Sequence, residues 1–191
     1  MDFENIIYNR RTIRRFKQES ISLEIIKKLI DFARVAPMAR NVQALEFIII
    51  QNENIRNELF PLVNWAGSLP EDQRTPEKGR EPTAYIIVLV NTTIKNAYVD
   101  FDVGAAVENI LLGAVHFGIG CCWMGSINRD KIRKLLEIPE YYNIKHVISL
   151  GYPDEKSVME SYVDSFKYWK DDGGGTHVPK RALEDIIFKI Y

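Results

Sequence analysis

Five basic side chains and one hydroxyl fall within eight residues, Arg10-Arg11-Thr12-Ile13-Arg14-Arg15-Phe16-Lys17. Arginine presents a planar fork of N–H donors that stays charged at physiological pH, so several of them beside a threonine suit a phosphate group. Three readings fit such a run: a solvated charge stretch, a nucleic-acid contact, or a cradle for one bound phosphate. The rest of the chain weighs against nucleic acid, because 25 Lys and Arg are balanced by 26 Asp and Glu, whereas nucleic-acid domains usually carry a marked positive excess. A compact cluster in a neutral chain is the pattern expected for a single phosphate.

A second constellation is Ala36-Pro37-Met38-Ala39-Arg40-Asn41-Val42-Gln43. Asn41 and Gln43 are two residues apart, so in an extended segment their amides face the same way and could grip a flat heterocycle with alternating donors and acceptors. The competing reading is a turn whose amides satisfy the local backbone. Cys121 and Cys122 are adjacent, which suits two reduced, buried thiols better than a disulfide or a redox pair. His116, His146 and His177 are scattered singly, without metal-ligand spacing, so no metal is expected.

These residues need elements to position them. With 191 residues, 46% of them apolar, the chain can bury a full core as a single domain, 1–191. No apolar run approaches the length of a membrane span, and the first residues lack the apolar stretch of a signal peptide; a cytoplasmic location and no membrane partner are expected. Ser22 caps an amphipathic helix carrying Leu23, Ile26, Leu29 and Ala33 that breaks near Pro37. Residues 45–50 and 84–90 read as central strands buried on both faces, with a helix over about 54–63 between them. The stretch 64–82 is rich in Gly, Pro and charge and reads as a lid-like loop. Residues 101–117 are apolar nearly all round, which marks a buried or dimer-core helix. Residues 121–124 and 145–150 form further strands, with a helix between them capped by Asn128. A turn at 171–175 opens a C-terminal arm, 171–191, ending in a short helix over 183–190. Four strands and at least five helices give a layered α+β fold.

Four motifs now stand in register: Arg10-Arg11-Thr12-Ile13-Arg14-x-Phe16, Ala-Pro-x-Ala-x-Asn-x-Gln, Gly118-x-Gly120-x-x-Trp123-x-Gly125 and Leu150-Gly151-Tyr152-Pro153, followed by Pro179-Lys180-Arg181. In order and spacing the chain resembles the nitroreductase family of flavoenzymes along essentially its whole length. The resemblance implies a central mixed, mainly antiparallel sheet flanked by helices, and an intertwined homodimer with FMN at the subunit interface. It implies that Arg10, Arg11, Thr12 and Arg14 hold the phosphate and ribityl chain, with Lys180 and Arg181 closing on the phosphate from the tail. Pro37, Met38, Ala39, Asn41 and Gln43 would line the ring, and Met124, Gly125 and Ser126 would lie near its redox-active middle.

No side chain is expected to do the bond-making, because the flavin carries the electrons. Arg14 is the candidate for a positive charge near the pyrimidine edge, the alternative being a phosphate contact. No G-x-G-x-x-G follows a strand, so NAD(P)H should visit and leave, with ping-pong kinetics if both substrates use one flavin face. The expected activity is reduction of nitroaromatics, quinones or similar acceptors. Alternatives are a flavin-binding sensor or store, or a dehalogenase or flavin-fragmenting enzyme on the same fold. Met38 and Ala44-Leu45 depart from the family's usual Ser and Pro-Trp. Trp65, Tyr168 and Trp169 are either aromatic walls for a flat substrate or core.

Overall fold

The structure, a computed structural model, describes residues 2–191. The N-terminal α1 (Phe3–Asn9) is capped by Asp2, whose side chain accepts the Asn5 N–H, and buries none of its residues. A two-residue strand, β1 (Phe16–Lys17), precedes α2 (Leu23–Arg34), whose start is fixed by Ser22 accepting the Ile25 N–H. There follow β2 (Leu45–Ile50), α3 (Glu53–Leu59), α4 (Glu71–Arg74), β3 (Ala84–Asn91) and α5 (Val99–His116). The chain continues through β4 (Gly120–Met124), α6 (Arg129–Leu135), β5 (Tyr142–Pro153), β6 (Ser157–Ser161), β7 (Trp169–Lys170) and β8 (Thr176–Lys180).

The main sheet runs β1-β5-β3-β2, with β4 also paired to β5, and every one of these pairings is antiparallel. The side chains of β3 alternate between two cores, as strand geometry requires. Ala84, Ile86, Val88 and Val90 join Leu29 and Ala33 of α2 and Val107, Ile110 and Ala114 of α5. Tyr85, Ile87 and Leu89 join Leu59, Trp65, Leu69, Met124 and Ile132 on the other face. The sheet is thus the middle of three layers, which is why β3 is almost wholly apolar.

Several elements differ from expectation. β2 is an edge strand, paired only to β3 and half-exposed along most of its length; its apolar run reflects contact on both faces, Leu45, Phe47 and Ile49 toward the α2–α5 core and Ile48 and Ile50 toward the other, although only Ile50 is buried. The helix expected over 54–63 ends at Leu59 and passes into a 3-10 turn, Phe60–Leu62, at Pro61. The strands of the main sheet pair antiparallel, with one parallel bridge, Thr12 to Cys121, at its β4 edge, and a second mixed sheet, β6-β8-β7, that the sequence did not reveal has β6 parallel to β8 and β7 antiparallel. The turn at 171–175 is present, with Gly174 at φ 77 and the Gly175 N–H donating to Asp171 Oδ1. No helix forms over 183–190; isolated turns run from Ala182 and Leu183, and the apolar side chains there are exposed. A helix needs an apolar face to bury, and this one has no partner surface within the chain. Among the described residues, no helix is long and apolar enough to cross a membrane.

Candidate functional site

The basic run is held against the start of β4. The Ile13 N–H donates to the Cys121 carbonyl at 2.9 Å, and Thr12 bridges to Cys121. The approach is so close that a Cβ on Gly120 would lie 2.8 Å from the Ile13 side chain, so only glycine fits. Both cysteines are free and buried, and desolvation raises the thiol pKa of each, Cys121 to about 12, which keeps them as inert thiols.

The arginines of the run then separate by environment. Arg15 turns inward with 3% exposure, pairing with Glu77 at 2.7 Å and Glu155 at 3.6 Å. Arg10 reaches Glu108 on α5 at 3.4 Å. Arg11 and Arg14 each bury an Nε that has no hydrogen-bond partner. Burial lowers the Arg11 pKa, the Arg10 charge adds to this and Glu108 opposes it. The Arg14 backbone N–H donates to Glu155 Oε1 at 2.5 Å, and its guanidinium lies 4.9 Å from the centre of the Tyr168 ring.

The segment 37–43 is not extended. Arg40, Asn41 and Gln43 adopt φ of 54°, 54° and 55°, in the left-handed region where a non-glycine residue stores strain. The same-side expectation for Asn41 and Gln43 therefore fails in its premise; both side chains are exposed, and Gln43 Nε2 donates to the Asn41 carbonyl at 3.4 Å. What pins this strained loop is a residue the sequence reading missed. Asp102, 4% exposed in the first turn of α5, accepts the Ala39 N–H at 2.8 Å on one oxygen and the Asn96 amide at 2.7 Å on the other. A lone carboxylate on the buried stripe of an apolar helix was the available signal.

Met124 is buried at the end of β4, and Gly125 and Ser126 lead out to the surface. Asn64 holds this exit, its N–H bonding the Ser126 carbonyl and its amide the Ser126 hydroxyl, both at 2.9 Å. His146 backs Gly125 so closely that a Cβ there would sit 3.3 Å from Nδ1, and it meets Trp123 edge-on at 5.1 Å. Burial holds the His146 pKa below its ordinary value, leaving a neutral ring at pH 7.

Lys180 and Arg181 lie elsewhere, exposed at the end of β8. Among the described residues no hydrogen bond or ion pair joins them to Arg10, Arg11 or Arg14; Arg181 bonds the Asp185 carbonyl. Trp65 is 5% exposed and packs on Phe60 inside the core. Trp169 stacks on His177 at 4.2 Å, in the small sheet, where His177 sits between Glu160 and Asp171. A cavity of about 910 Å³ opens beside that sheet, lined by Arg15, Glu77, Arg80, Glu155 and Lys170 among others. None of the candidate cofactor residues lines it, and its Arg15, Arg80 and Lys170 are already paired with Glu77, Asp154 and Glu155, so it is not the site the basic run points to.

The chain matches the model of the nitroreductase family over residues 7–152, the stretch that builds β1 to β5. It is 34% identical over 164 residues to an Archaeoglobus fulgidus protein named "Putative NADH dehydrogenase/NAD(P)H nitroreductase", covering 82% of this chain and 88% of that one. A nitroreductase family protein of Clostridium novyi NT superposes with TM-score 0.66 at 25% identity, covering 80% of this chain and 87% of that chain. A structure from Desulfovibrio desulfuricans described as a "putative nitroreductase in complex with fmn" superposes with TM-score 0.71 at 20% identity, covering 98% and 96%. With the basic run, the strained loop and the β4 exit all inside the matched stretch, this chain belongs to the nitroreductase family.

Proposed function

We propose that the chain is an FMN-dependent oxidoreductase that takes electrons from NAD(P)H and delivers them to nitroaromatics, quinones or similar electron-poor acceptors. The observation that carries this reading is the pair of buried guanidinium N–H groups on Arg11 and Arg14 without an acceptor in the chain. A buried donor left unmatched costs roughly 1–3 kcal/mol, and an anionic ligand rich in acceptor oxygens removes that cost. The ligands named with two relatives, FMN for the Desulfovibrio protein and NAD(P)H for the Archaeoglobus protein, support the choice.

FMN, when bound, supplies two-electron redox chemistry between a nicotinamide and an acceptor. The residues of the chain bind and orient. Arg10, Arg11 and Thr12 take the phosphate and ribityl oxygens, and Arg14 sets a positive charge where negative charge builds on reduction. Asp102 keeps Ala39 in place, so that Pro37, Met38, Asn41 and Gln43 present a fixed edge to the ring. The exit at Met124, Gly125 and Ser126 offers backbone N–H groups, with neutral His146 behind it adding no charge. The proposal includes a homodimer in which the exposed tail of each chain, with Lys180 and Arg181, closes on the phosphate held by the other.

An anaerobic absorbance titration of the FMN-reconstituted protein with NADH and then NADPH tests the activity. The visible flavin bands should bleach stoichiometrically and return on adding menadione or a nitrofuran. Flavin that binds but bleaches with neither nucleotide would overturn the oxidoreductase reading in favour of a carrier or sensor.

A further inference from the structure

Arg14 is held from two sides by the C-terminal part of the chain. Its backbone N–H donates to Glu155, and its guanidinium rests against the face of Tyr168. Glu155 is itself buried, and its other oxygen is met by Arg15 at 3.6 Å and Lys170 at 3.4 Å. The carboxylate is therefore balanced by its other neighbours, which leaves the Arg14 charge available to a ligand. Tyr168 also reaches the opposite way: its hydroxyl oxygen accepts the Ser68 N–H at 3.3 Å. Ser68 belongs to the 64–82 segment, which is rooted in the core through Trp65, Ala66 and Leu69.

A cation over an aromatic face is attracted by the ring quadrupole, and a planar guanidinium is oriented as well as attracted. The Arg14 Nε is buried without an acceptor, so the ring constrains the direction of a donor whose partner must come from outside the chain. We propose that Tyr168 is a positioning residue of the cofactor cradle: its ring aims the Arg14 guanidinium at the part of the bound cofactor where negative charge builds on reduction, and its hydroxyl couples that aim to the seating of the 64–82 segment. The identity of the ligand rests on the FMN reading above; the coupling rests on the contacts of Tyr168. Trp169, its neighbour, serves the small sheet instead, stacked on His177.

The test compares Tyr168→Phe and Tyr168→Leu with the wild type, each as the full chain, apo and reconstituted with FMN. The readouts are the FMN dissociation constant, the flavin midpoint potential, the thermal midpoint of the apoprotein and hydrogen exchange at the Ser68 amide. Y168L should weaken FMN binding about tenfold, as expected for loss of a partly desolvated cation–aromatic contact, and should lower the midpoint potential. Y168F keeps the aromatic face, so its FMN affinity should stay within about twofold of wild type while the Ser68 amide exchanges faster. FMN affinity and potential unchanged in Y168L would overturn the aiming role. A Y168F protein about tenfold weaker for FMN than the wild type would overturn it too, an outcome that can be read even if Y168L fails to fold. Unchanged Ser68 exchange in Y168F would overturn the link to the segment. A wild type that takes up no FMN sinks the function itself, an outcome seen before any variant is made.

Discussion

Arg14 and Arg15 are neighbours in the chain and meet opposite fates, because backbone alternation sends one toward the ligand side and the other into the body. Arg15 has carboxylates on hand, and its hydrogen bond is the main reason the Glu77 pKa falls from 4.5 to about 2. A carboxylate with a depressed pKa in the folded state adds stability above its unfolded pKa and loses it as pH falls through the folded value. The Glu77 contribution should therefore fade between pH 4.5 and about 2, in part only, since Glu77 is more than half exposed and screened by solvent. Denaturant midpoints measured across that range should fall less steeply for Glu77→Gln than for the wild type; parallel curves would mean the pair is energetically silent. At this scale the sequence showed a cluster of arginines but not its division, since Glu77 and Glu155 are 62 and 140 residues distant from Arg15 along the chain and only the fold makes them neighbours.

Among the elements, β4 has the most exacting fit. Its first residue is glycine because the basic run crosses it at Ile13, and a methyl group at Gly120 has no room. Gly120→Ala should destabilise by about 1–3 kcal/mol, the usual range for overpacking a filled site. Ile13→Ala should cost less in the Gly120→Ala background than it does alone, because it removes the Cγ1 and Cγ2 that crowd the added methyl group. Additive losses in the double variant, read from chemical denaturation, would show that the crowding is relieved by some other movement. The strands and long helices were legible because their apolar periodicity is local. The edge position of β2 was not, since an edge strand covered on both faces has much the same composition as a central one. The small sheet was hidden for another reason: Ser157, Glu160 and Thr176 carry polar side chains, and its pairing joins segments about 20 residues apart.

The whole molecule leaves a substantial apolar surface open at its end. Leu183, Ile186, Phe188, Ile190 and Tyr191 are all at least 60% exposed, and Phe3, Tyr8 and Phe101 are similarly open. Large apolar side chains exposed in such number usually mark an interaction surface, in keeping with the homodimer proposed above. Truncation after Arg181 should convert a dimer into monomer by light scattering and weaken FMN binding with it. A truncated chain that remains dimeric would place the interface elsewhere, with α5 and α1 the remaining candidates.

The sequence by itself determined the strands of the main sheet, the long helices α2 and α5 and the order of the motifs, because capping, periodicity and motif spacing are properties of neighbours along the chain. It also marked the arginines, the 37–43 loop and the β4 exit as one functional set through the family resemblance. Only the tertiary structure decided which arginine is spent on an internal ion pair, that the loop is left-handed and held by Asp102, that Trp65 is core, and that Tyr168 stands over Arg14. Each of those depends on contact between residues far apart in sequence, where burial and the need to satisfy every buried polar group choose the partner.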